Sequence, residues 1–167
     1  MDDLDLAAAV RSLTDEREIT AVIHRRARAT DTRDLELSLS CYHPDATEDH
    51  EGFDGPIEAY LRTGSPVFER DSPVLVCHHL IANVEIDLAG DEAASSSYFV
   101  CHLTVREDGG TRDYINAGRY LDRFERRDGR WLIARRECVY DWSRNDDTSA
   151  PWWDAAQSGT GKQSASS

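Results

Sequence analysis

Basic charge is scarce in this chain: 19 lysines and arginines stand against 32 aspartates and glutamates, a formal net charge of −13 over 167 residues. Without a basic patch or stripe, the sequence argues against nucleic acid as a partner and against an anionic membrane surface. Long apolar runs are missing too; none approaches the ~20 residues needed to span a bilayer. The opening Met1-Asp2-Asp3-Leu4-Asp5-Leu6 has no positive region followed by an apolar stretch, so no secretory leader is expected. The four cysteines, Cys41, Cys77, Cys101 and Cys138, include no C-x-x-C pair. Three lie in strand-like apolar runs and read as small buried hydrophobes; reduced thiols and a cytoplasmic location fit best. Also absent are internal repeats, a glycine-rich phosphate loop and a nucleotide fingerprint. No G-x-S-x-G marks a serine nucleophile. A metal site drawing on Asp49, His50, His79 and His102 would lack H-x-H or H-E-x-x-H spacing, so no metal is expected.

What is present is a change of period. Residues 1–13 read as an acidic lead-in with a short helix over 6–13. A main helix is expected over 15–30, with Thr14 as N-cap and Asp15, Glu16 and Glu18 in its first turn. Leu35, Leu37 and Leu39 mark a short second helix, ended by His43-Pro44. Residues 46–50 read as a short strand, and Gly52, Asp54 and Gly55 as a turn. Pro56 suits the first position of a third helix carrying Ile57, Tyr60, Leu61 and Phe68. From Val74 the period becomes two, giving long strands over 74–88, 94–107, 112–126 and 130–143. Gly90-Asp91, Asp108-Gly109-Gly110 and Asp128-Gly129 separate them as hairpin turns. Helices followed by an antiparallel meander predict one α+β domain over 14–144. Its expected shape is a cone-shaped barrel: about three N-terminal helices on a strongly curved, mainly antiparallel sheet, with a pocket at the mouth. Residues 145–167 form a polar tail. In it only Pro151-Trp152-Trp153 is expected to dock, over the pocket mouth or on a neighbouring subunit.

Two charges stand out against this pattern. In the strand from Arg130, alternation places Leu132, Ala134, Arg136, Cys138, Tyr140 and Trp142 on one face, with Trp131 and Ile133 on the other. A guanidinium on an apolar face stays charged and needs a carboxylate or an anion as partner. Asp31 continues the row Ile19, Ile23, Ala27 at the helix end, where the dipole disfavours a carboxylate. It reads either as an inward charge or as a solvated cap residue. Among the histidines, His24 beside Arg25 and Arg26 reads as a solvated face, and His43 before Pro44 as structural. His78 and His79 point to opposite faces. On the 94–107 strand, Tyr98, Val100, His102 and Thr104 share one face, and Phe99, Cys101, Leu103 and Val105 the other. Histidine is the natural general base near neutral pH.

Three segments together resemble the SnoaL-like branch of the nuclear transport factor 2-like superfamily. They are Tyr-His-Pro-Asp-Ala-Thr-Glu-Asp-His-Glu-Gly-Phe-Asp-Gly (42–55), the H-x-x-x-N of His79 and Asn83, and the run from Gly118 to Arg136. Enzymes of that branch with a similar pattern include scytalone dehydratase, hexachlorocyclohexane dehydrochlorinase and bile-acid 7α-dehydratase. The resemblance implies the α+β cone, often assembled as a trimer, so a homo-oligomer is expected, trimer before dimer. It implies catalytic places at Asp31, His79 and Arg136, which match the dehydrochlorinase pattern, and at His102, which falls where scytalone dehydratase has a second histidine. Thr30 stands where a tyrosine would precede the aspartate. His50, Tyr98, Tyr140 and Trp142 are the expected substrate-binding side chains.

The implied chemistry is cofactor-independent elimination, above all dehydration, of a small to medium hydrophobic, cyclic small-molecule substrate. His79 would take a proton, Asp31 would hold its imidazolium, Arg136 would steady an anion and His102 would protonate a leaving hydroxyl. An isomerase or polyketide-type cyclase would use the same proton transfers. A non-catalytic subunit, like the small subunit of ring-hydroxylating dioxygenases, would share the fold with its cavity filled.

Overall fold

The computed structural model describes residues 3–50 and 52–147. The expected docking of Trp152 and Trp153 lies outside the described residues. Helix α1 (Asp3–Asp31) is continuous, so residues 3–13 are part of it and the predicted break at Thr14 does not occur. Thr14 instead donates its hydroxyl to the Val10 carbonyl at 2.8 Å, a bond that lets a threonine sit inside a helix. The buried stripe of α1 runs through Asp15, Ile19, Val22, Ile23, Arg26 and Thr30. Asp15 is fixed by Arg126 at 2.7 Å and by the Trp131 indole at 2.9 Å.

Helix α2 (Leu35–Leu39) is capped by Asp34, whose side chain accepts the Leu37 N–H at 2.9 Å. Strands β1 (Tyr42–His50) and β2 (Phe53–Pro56) follow, then the short α3 (Ile57–Ala59), which runs on as a π-turn over Tyr60–Gly64. Asp54 and Gly55, read above as turn residues, belong to β2. Four long strands complete the chain: β3 (Val74–Ala89), β4 (Glu92–Glu107), β5 (Gly110–Arg127) and β6 (Arg130–Asp147). They form one sheet in the order β2-β1-β6-β5-β4-β3, antiparallel except where β1 lies parallel to β6. The helices pack on its inner face, burying Ile19, Val22, Ile23, Leu61, Phe124 and Ile133. None of the described helices is long and apolar enough to cross a membrane.

Bulges bend the sheet and decide which residues face inward. In β6, Arg135 pairs with Arg123 and Ile133 with Phe124, so Ala134 is an extra residue. The alternation therefore slips by one. Trp131 and Ile133 are buried on the same inner side as Arg136, not opposite it as strict period two predicts. A second bulge at Asp141 lies between the pairs Gly118–Tyr140 and Ala117–Trp142. A third, in β3, follows Ala82, with Asn83 at φ 48°.

Gly118 makes the second bulge possible. A Cβ built there would lie 2.0 Å from the Val139 carbonyl oxygen and 3.0 Å from the Tyr140 Cα, both backbone atoms. Gly118→Ala should therefore push β5 and β6 apart and destabilise by about 1–3 kcal/mol or more, as overpacking does. Chemical denaturation measures this; a variant as stable as the wild type would mean that the strands separate there at no cost.

Candidate active site

The inner faces of the long strands, the end of α1 and the segment that follows β2 enclose a cavity of about 360 Å³. That volume suits a small molecule. Its wall includes His50, Tyr60, His79, Phe99, Tyr120 and Arg136.

Asp31 closes α1 and turns inward. Its Oδ1 accepts from His79 Nδ1 at 2.6 Å, its Oδ2 accepts the His79 backbone N–H at 3.1 Å, and Cys77 Sγ donates to it at 3.6 Å. These donors offset the unfavourable helix C-terminus. Burial alone would lower the His79 imidazole, but the hydrogen bond to Asp31, then Cys77, outweighs it and raises the pKa above the ordinary value. With Nδ1–H donating to the carboxylate, the other ring nitrogen of the neutral imidazole keeps its lone pair.

A second chain of polar side chains approaches the cavity from β1. Arg26 Nε donates to the Tyr42 hydroxyl at 3.0 Å, and that hydroxyl donates to Glu48 Oε2 at 2.8 Å. Glu48 Oε1 lies 3.0 Å from His50 Nδ1, and His50 Nε2 lies 2.9 Å from the Tyr140 hydroxyl. Tyr60 stacks on the His50 ring at 4.7 Å between centroids. Burial would raise the Glu48 pKa, yet His50, Arg26 and Arg136 overcome it and hold the carboxyl below its ordinary range.

That depression predicts a pH dependence. A carboxyl whose folded pKa is lowered contributes stability above its unfolded value, and that stability is lost as pH falls through the folded value. The protein should melt at lower temperature as pH drops below the ordinary glutamate value of 4.5. Glu48→Gln should lower stability at neutral pH and flatten this acid limb. Melting curves across the acid range measure it; parallel limbs for both proteins would remove Glu48 as the cause.

Arg136 lies in a row of three buried charges across adjacent strands. It pairs in register with Glu48 of β1 and with Asp122 of β5. Its Nε and Nη2 both donate to the Asp122 carboxylate at 2.7 Å, and its guanidinium sits 4.1 Å from the centre of the Tyr120 ring. The charge of Arg136 is thus met by a protein carboxylate.

Of the residues singled out from sequence, His79, Arg136, His50 and Tyr140 meet at the cavity wall, and Asp31 stands behind His79. His102, Tyr98 and Trp142 do not reach it. His102 pairs with His78 on the outer face, where it contacts Asp113 at 3.2 Å. Tyr98 shares that outer face and is 48% exposed, while Phe99, Cys101 and Leu103 line the cavity. Trp142 follows the bulge at Asp141, which turns it away from the face of Tyr140, and it is 52% exposed.

Several site residues were not singled out. Arg26, read with His24 and Arg25 as solvated, lies on the stripe of Ile19, Val22 and Ile23, and that spacing was visible in the sequence. Glu48 shares a strand face with the buried Ala46. Nothing in the sequence identified Asp122 as the partner of Arg136. Among the described residues, Cys77, His79 and Cys101 bring donor atoms close enough together to hold a metal ion, all within 4.8 Å of one another.

Residues 11–137 match the SnoaL-like domain family. No curated protein matches the chain. Among solved structures, hexachlorocyclohexane dehydrochlorinase LinA-type3 from Novosphingobium barchaimii superposes with a TM-score of 0.72 at 17% identity, covering 86% of this chain and 99% of that one. A protein from Novosphingobium aromaticivorans, provisionally assigned as a scytalone dehydratase, gives 0.71 at 21% identity, with 83% and 92% covered. A variant of a function-unknown protein from Mycobacterium tuberculosis gives 0.64 at 23%, with 84% and 77% covered. At these identities the likeness establishes the fold.

Proposed function

Because the chain belongs to the SnoaL-like domain family, we propose that it is a lyase of the dehydratase type. Its substrate is a small to medium, hydrophobic, cyclic molecule carrying a hydroxyl β to a carbonyl. One observation carries the reading: at the cavity wall, His79 Nδ1 is held 2.6 Å from Asp31, leaving the opposite ring nitrogen as a base.

The reaction follows from the side chains. His79 removes a proton from the carbon next to the carbonyl, and Asp31 stabilises the imidazolium formed. The electron pair becomes a C=C bond as the C–O bond breaks. The leaving hydroxide takes a proton from the Tyr140 hydroxyl, which is backed by His50 and Glu48, and departs as water. Arg136 is paired with Asp122, and Arg26 is linked to the nearby Glu48 carboxylate through the Tyr42 hydroxyl, which favours a neutral substrate over an anionic one. Aromatic walls at Phe53, Tyr60 and Phe99 favour a flat or cyclic ring.

The test is a panel of cyclic β-hydroxyketones monitored for the ultraviolet absorbance of the enone. Turnover should fall by about 10²-fold or more in His79→Gln, the usual scale of a general base. A panel with no turnover, together with no exchange of the substrate α-proton for solvent deuterium, would reject the lyase reading. Exchange without water loss would favour an isomerase, which uses the same base.

A further inference from the structure

We propose that Cys77, His79 and Cys101 form a binding site for a thiophilic divalent cation of the zinc class, with its fourth coordination position open to the cavity. This goes beyond the lyase reading and does not depend on it.

Two sulfurs and an imidazole nitrogen lie within 4.8 Å of one another, and all three residues line the cavity. The sheet register produces this. His79 pairs directly with Cys101, and Cys77 is two residues away on the same inner face of β3. Two thiolates and one imidazole make a soft, three-ligand set that leaves one tetrahedral position to solvent or ligand. The imidazole nitrogen beside the sulfurs is Nδ1, 3.8 Å from Cys77 Sγ, and it is also the atom that donates to Asp31 at 2.6 Å, so a cation on Nδ1 would displace that hydrogen bond.

The charges balance. The contact with Cys101, then burial, pushes the Cys77 thiol well up. Uptake of a dication expels both thiol protons, and the two thiolates formed cancel its charge. The cation also takes Nδ1 of His79, which puts the proton of the neutral ring on the other nitrogen, where the base lone pair was. Cation binding and proton abstraction by His79 are therefore alternative states of one pocket, and zinc would act as an inhibitor.

The test uses the tag-free, reduced full-length chain titrated with Co²⁺, which reports thiolate ligation as a near-ultraviolet charge-transfer band. One Co²⁺ per chain should bind, displaceable by Zn²⁺. Cys77→Ser and Cys101→Ser should each remove about half of the band's intensity, and the double variant should remove it all. Cys41→Ala, outside the cluster, should leave the band unchanged. No charge-transfer band, or an undiminished one in the double variant, overturns the proposal. Circular dichroism checks each fold, and the single variants suffice if the double variant unfolds. Since the readout is spectroscopic, a failed search for lyase activity leaves this result unaffected.

Discussion

Arg136→Met should destabilise this protein by about 3–5 kcal/mol, the usual cost of leaving one partner of a buried ion pair without the other. Arg136 and Asp122 have side chains only 3% and 0% exposed, joined by two bonds of 2.7 Å. Removing the cation strands Asp122 in a low-dielectric interior and takes the positive neighbour from Glu48 in the same row. Arg135→Met should differ sharply. Its side chain is 38% exposed, and its bonds to Thr47, Asp54 and Asp49 are 3.2 to 3.4 Å long. Such pairs contribute about 0–1 kcal/mol. The double variant Arg136→Met/Asp122→Leu should recover much of the loss, since an apolar pair replaces an ionic one of similar volume. Denaturant unfolding of the three variants measures all of this. Equal losses for Arg135→Met and Arg136→Met would mean that the bulge at Ala134 is misplaced.

Asp31→Asn should lower turnover on the substrate found by the panel by about 10²-fold or more while leaving the fold intact. The carboxylate does two things for His79. It accepts the hydrogen bond from Nδ1, which leaves the lone pair on the other ring nitrogen, and in the proposed reaction it would stabilise the positive ring after proton abstraction. An amide supplies neither the charge nor a single orientation. The loss should fall on kcat more than on KM, because Asp31 lies behind His79 rather than on the cavity wall. Circular dichroism and a melting curve control for folding. A fully active Asn variant would reject the dyad as the source of the base.

Local pattern was enough for the order of elements, the hairpin turns and the family. Hairpin turns are short-range, and four long period-two runs leave few ways to build a sheet. The same pattern marked Arg136 as a charge on an apolar strand face and left Asp31 open between the helix stripe and a solvated cap, because burial of a charge is a mismatch readable in one strand or helix; His79 stood out only through the family resemblance of its H-x-x-x-N. Faces were another matter. On β4 the sequence offered two, and the histidine drew attention to the one with Tyr98 and His102. The apolar face of Phe99 and Cys101 is the one that lines the cavity.

Partners of the buried charges came from long-range pairing alone. A regular hairpin closed at Asp128-Gly129 pairs Arg127 with Arg130 and, counted back, would set Asp122 opposite Arg135. The extra residue at Ala134 moves Asp122 opposite Arg136. Likewise the parallel placement of β1 beside β6 brings Glu48 to the same row. A bulge follows from how the curved sheet closes over helix α1, a packing condition set by distant parts of the chain, so neither pairing could be read from the residues around it.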